Sequence, residues 1–116
     1  MSGYVGVRQL ALQSPDWLPV VRAALTTAET TGNRFAGAWV VDEFERIKWP
    51  GMAYGGVYGG TRVTMVPGLR KLTTFDILEK DGPSTRQGRR AYYRMPDPDG
   101  VRRALEELGF LTPRLT

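Results

Sequence analysis

Trp17, Val20, Val21, Ala24, Leu25 and Ala28 recur at spacings of three and four, the period of a helix with one face turned to a core. Ser14 offers a capping side chain ahead of them, Pro15 suits the first helical position, Asp16 suits the positive end of the helix dipole, and Gly32 ends the run. Phe35, Trp39, Val40, Phe44 and Ile47 repeat in the same way and predict a second helix capped by Asn33, with a strand through "AWVV" as the alternative. Residues 1–13 are weakly patterned: Val5 and Val7 alternate, which fits a short strand or an irregular N-terminal arm.

Further along, Met65, Leu69, Leu72 and Phe75 share a helical face over 61–75, a helix that starts or kinks at Pro67 and Gly68. "DILEK" then reads as a short strand, "DGPSTRQG" as a polar turn and "RRAYYRM" as the return strand of a hairpin over 77–94. Strand alternation puts Tyr92 and Tyr93 on opposite faces, so only one can be buried. Asp97 and Pro98 open a last helix over 97–108, with Val101, Ala104, Leu105 and Leu108 as its apolar stripe and Gly109 as its stop. Arg102–Glu106 and Arg103–Glu107 are spaced for pairs along that helix. Between the second and third helical patterns, "KWPGMAYGGVYGGTR" reads as a turn in which backbones approach closely, or as a short helix through Tyr54, Val57 and Tyr58. It lacks the Gly-Lys-Ser/Thr ending and the GxGxxG spacing of phosphate-cradling loops. Together these elements predict one domain over 1–116, mainly α with a small antiparallel β-hairpin, an α+β class.

Composition narrows the chemistry. With no cysteine and no histidine among 116 residues, disulfides and thiolate chemistry are excluded, and the commonest metal ligand and general base are missing. No nucleophile–base pair, metal set or cofactor motif stands out, so the chain reads as a non-enzyme with no cofactor and no metal. Asp42, Glu43 and Glu45 form an acidic cluster that reads as a solvated helical face. No apolar run approaches the roughly 20 residues of a membrane span, and the start shows no basic region leading into an apolar stretch, so a cytoplasmic location is expected.

Charge distribution says more than the total of +4. Between Lys80 and Arg94 stand Lys80, Arg86, Arg89, Arg90 and Arg94 against Asp81 alone, five minus one, so the whole excess sits in one stretch. A basic patch of this kind is the electrostatic footprint of a nucleic-acid binder.

The segment "GLRKLTTFDILEKDGPSTRQGRRAYYRM", Gly68 to Met95, resembles the winged helix-turn-helix family of DNA-binding proteins, such as the MarR-like and PadR-like regulators. Leu69 and Leu72 match the Leu-x-x-Leu that closes a recognition helix, Ile77 and Leu78 match the first strand of the wing, and Arg89 to Arg94 match the strand after it. Asp76 stands where these families usually have glycine, and Pro67 and Gly68 interrupt what is normally a regular helix. The resemblance covers roughly the last half of the chain. It implies a winged helix-turn-helix fold, with 61–75 as recognition helix and 77–94 as wing. The function it implies is sequence-specific binding of double-stranded DNA by a transcriptional regulator, usually a symmetric homodimer.

On that reading Arg62, Thr64, Arg70, Lys71, Thr73 and Thr74 are candidates for base or phosphate contact from the helix. Ser84, Thr85, Arg86, Gln87, Arg89 and Arg90 would meet the backbone from the wing, while Arg94 pairs with Asp76 or Glu79. The helix from Ser14 and the C-terminal helix are the natural dimer elements, with Trp17, Trp39, Trp49, Phe110 and Leu111 as apolar candidates for that surface. The alternative is a protein-interaction module that uses the Gly/Tyr-rich segment 49–60 and has no specific DNA site. A small-molecule effector held among Trp39, Trp49, Tyr54 and Tyr58 is compatible with the first reading, but no residue pattern argues for it separately.

Overall fold

The computed structural model describes residues 2–47, 69–81 and 92–110. The Gly/Tyr-rich segment, the first part of the helix expected over 61–75 and the turn of the hairpin fall outside these residues. Described elements run α1 (Gly3–Gln13), a 3₁₀ turn (Pro15–Trp17), α2 (Leu18–Thr30), β1 (Phe35–Ala36), α3 (Gly37–Ile47), helical residues 69–74 (α4), β2 (Glu79–Lys80), β3 (Tyr92–Arg94) and α5 (Pro98–Glu107). The chain is mainly helical with a small three-stranded antiparallel sheet, an α+β architecture. No helix among the described residues is long and apolar enough to cross a membrane.

Where an arm or strand was expected, residues 3–13 form a helix. Its buried stripe is Gly3, Gly6, Val7 and Leu10, and Ser2 caps it by accepting the Val5 amide at 3.2 Å. Val5 and Val7 do not share a face as the alternation suggested: Val7 is fully buried and Val5 is 42% exposed. α1 packs chiefly on α5. Asp97 joins the two, because its carboxylate accepts both the Gly3 amide at 2.9 Å and the Gly100 amide at 3.1 Å. The expected cap of the C-terminal helix thus also holds the first turn of α1.

α2 is the central helix. Its buried residues include Leu18, Val20, Val21, Ala23, Ala24, Leu25 and Ala28, and it touches α1, α3 and α5. Its buried apolar residues are therefore committed to this chain's own core, as is Trp17. Nor does Ser14 cap it. The Ser14 side chain makes no cap bond, and the chain enters α2 through the Pro15–Trp17 turn.

Three helices end in one way. After α2, α4 and α5 the backbone turns left-handed at Gly32 (φ 75°), Asp76 (φ 61°) and Gly109 (φ 82°). The next amide then reaches back to a carbonyl five residues earlier: Asn33 to Ala28 at 2.8 Å, Ile77 to Leu72 at 2.9 Å, Phe110 to Leu105 at 2.8 Å. Glycine adopts this conformation freely, whereas at Asp76 it is strained.

Asn33 does not cap a helix. It follows the α2 terminus with φ 68°, and its amide forms a paired bond with Met95, accepting the Met95 N–H at 2.8 Å and donating to the Met95 carbonyl at 2.9 Å. This bond lays residues 35–36 beside β3, so Phe35 enters a strand and the helix begins two residues later, at Gly37. The sheet order is β1-β3-β2, with Phe35 opposite Tyr93, Ala36 opposite Tyr92, Glu79 opposite Arg94 and Lys80 opposite Tyr93. Phe35 and Tyr93 face the core together with Val40, Val41, Phe44, Leu69, Leu72, Ile77, Leu78, Met95, Val101, Ala104 and Leu105. Tyr93 is the buried tyrosine of the pair, as alternation requires.

The arginines of α5 pair across the structure rather than along their own helix. Arg102 bonds Glu29 of α2, and the Arg103 guanidinium lies 4.5 Å from the centre of the Tyr4 ring. Glu107 accepts from the Tyr4 hydroxyl at 2.5 Å and from Arg8 at 3.3 Å. The hydrogen bond to Glu107 raises the Tyr4 pKa above its ordinary value; burial and the Glu107 charge act the same way, while Arg8 and Arg103 oppose them.

Candidate nucleic-acid interface

α4 is amphipathic over its described length. Leu69 and Leu72 are fully buried, and Arg70 and Thr74 stand exposed on the opposite side with Thr73 half-buried between. Thr73 and Thr74 both donate their hydroxyls to the Arg70 carbonyl, at 2.7 and 3.0 Å. Their hydroxyl protons are thereby occupied within the helix, and their oxygens stay free to accept. The outer face therefore presents one guanidinium flanked by two fixed hydroxyl oxygens.

Lys71 does not join that face. It is half-buried, and its ammonium donates to Ser14 Oγ at 3.3 Å. The bond carries Lys71 round the flank of α4 toward the junction of α1 and α2, which separates it from Arg70. Arg62, Thr64, Ser84, Thr85, Arg86, Gln87, Arg89 and Arg90 lie outside the described residues.

The stem of the basic hairpin is well defined on both sides. The Asp81 amide donates to the Tyr92 carbonyl at 2.9 Å, closing the stem at the two residues that flank 82–91. Arg94 pairs with Glu79 directly across the two strands, the second of the two partners expected for it. One residue that pattern reading passed over also stands here. Arg34 ion-pairs with Asp81 at 3.0 Å, and its guanidinium lies 4.1 Å from the centre of the Tyr92 ring. Trp39 meets the same ring edge-on, with centroids 5.9 Å apart. A lone arginine ahead of an apolar run carries no local signal; its two partners lie far along the chain.

On α3, Asp42 is exposed, whereas the Glu43 side chain is only 17% exposed and pairs with Arg46 at 2.5 Å.

Asp76 offers a direct check on this geometry. It is exposed and left-handed at the turn that closes α4, where the family resemblance places glycine. Asp76→Gly is expected to raise stability by about 1 kcal/mol, since glycine adopts the same φ without strain. A urea titration reads this directly; a loss of stability would show that the aspartate side chain holds the turn.

Comparison with protein-family models, with curated proteins and with solved structures finds no match.

Proposed function

We propose that this chain binds double-stranded DNA as a winged helix-turn-helix regulator, with α4 in the major groove and the basic hairpin on the phosphate backbone. The observation that carries this reading is the outer face of α4. A helix anchored by Leu69 and Leu72 turns Arg70, Thr73 and Thr74 outward, and it runs directly into the hairpin that holds the chain's entire charge excess. A helix fits the major groove, arginine reads guanine through two parallel hydrogen bonds, and threonine oxygens accept from adenine or cytosine amino groups. Among the described residues the order from α2 onward is compatible: helix, short strand β1, then α3 and α4, then a hairpin whose return strand pairs with β1.

The test has two parts. Binding to a labelled random-sequence duplex is expected to weaken about a hundredfold between 50 and 200 mM salt, as release of about four phosphate-bound counterions requires. On a site selected from a random library, Arg70→Ala is expected to cost about 1–3 kcal/mol and to relax the preference at one base pair, with a far smaller effect on random duplex. A native protein that leaves random duplex unbound at about 50 mM salt defeats the proposal.

A further inference from the structure

The outer face of the sheet holds one arrangement that the binding surface does not use. Arg34 precedes β1, the edge strand next to β3. Its side chain crosses the outer face of β3, lies on the Tyr92 ring and reaches Asp81 just past β2. A single guanidinium therefore touches both Asp81 and Tyr92, the residues that flank 82–91. Trp39, from the first turns of α3, meets the same Tyr92 ring edge-on.

We infer that Arg34 is a positioning residue for the basic hairpin: it clamps the stem at Asp81 and Tyr92 and so preorganises the stem for binding to duplex. For its functional consequence this rests on the duplex-binding reading; the clamp itself does not.

The physics separates this role from direct contact. Arg34 is 58% exposed and Asp81 33% exposed, so their ion pair alone is weak. Stacking on the ring restricts the guanidinium to one plane, and together the two contacts fix a geometry that neither would hold. Because Asp81 already neutralises Arg34, binding phosphate there would break an existing pair and release little net counterion. A clamp acts instead through preorganisation, which changes affinity without changing the number of phosphates engaged.

Three variants test this: Arg34→Ala, Tyr92→Ala and Tyr92→Phe, the last keeping the ring under the guanidinium. Amide hydrogen exchange at Asp81, whose N–H closes the stem, is measured in the free protein. Binding to random duplex is measured across a salt series. For Arg34→Ala and Tyr92→Ala, protection at Asp81 is expected to fall about tenfold. Duplex affinity is expected to fall about three- to tenfold with the salt slope unchanged. Tyr92→Phe should match the native protein in both. A salt slope lowered by about one in Arg34→Ala would mark a phosphate contact and overturn the inference. Unchanged exchange at Asp81, or quickened exchange with native affinity, overturns it equally. If the native protein binds no duplex, the DNA reading fails, and the exchange arm still decides whether Arg34 holds the stem.

Discussion

Gly6→Ala is expected to lower the free energy of unfolding by about 3 kcal/mol, measured by urea denaturation. A Cβ at Gly6 would lie 2.2 Å from the Phe75 carbonyl oxygen and 3.2 Å from Cγ1 of Ile77. Two effects oppose each other. Alanine favours a helix over glycine by about 1 kcal/mol, which argues for a gain. The overlap argues for a loss, and it prevails because the obstacle is backbone. Phe75 sits in the turn closed by the Ile77-to-Leu72 bond, with Ile77, Leu72 and Leu78 all buried beside it, so the carbonyl cannot retreat without opening the end of α4. Val5→Ala, one residue away on the exposed side of α1, serves as control and should change stability by less than about 0.5 kcal/mol. A Gly6→Ala protein as stable as the native one would mean that α1 is not seated on this turn.

The same glycine explains what the pattern of apolar residues missed. A helix is legible when its buried stripe is made of large residues, as in α2 and α5. In α1 the stripe is Gly3, Gly6, Val7 and Leu10, and half of it carries no side chain. Gly3 is there for a comparable reason, since a Cβ would meet the Asp97 carbonyl and Val101 at 2.7 Å. Close helix packing removed the hydrophobic signal that would have announced it. β1 escaped for another reason. Two residues are too few to show alternation, and Phe35 also satisfied the helical spacing of the run that follows it. What makes it a strand is Asn33 bonding to Met95, a contact with no local trace. By contrast, Gly32 and Gly109 were legible as helix stops, because left-handed backbone is a local demand that glycine meets.

The candidate site divides along the same line. Arg70 was legible as an outward residue because Leu69 and Leu72 fix the phase of α4. The partner of Lys71 was not legible, since capping rules assign Ser14 to its own helix, whereas its side chain accepts from Lys71. The role inferred for Arg34 depends on Asp81 and Tyr92, both remote in sequence, so folding had to bring the group together before it could be recognised.

Charge partnership also yields the sharpest functional expectation. Changing Arg86, Arg89 and Arg90 together to alanine should weaken random-duplex binding at about 50 mM salt by about a hundredfold or more, and should reduce the salt slope by up to about 2.7, at about 0.9 per phosphate released. Thermal stability should hold or rise slightly, because three like charges leave one short stretch. Arg94→Ala removes a charge of the same sign from the same hairpin. Arg94 is already matched by Glu79, however, so its removal frees an acid as well as losing a base. If counterion release from phosphate drives binding, the slope should stay at its native value in Arg94→Ala and fall in the triple variant. If a general positive field were enough, the two proteins would differ only in proportion to the charge removed. A slope loss of about one in Arg94→Ala would favour that field and remove the hairpin from its assigned place on the backbone.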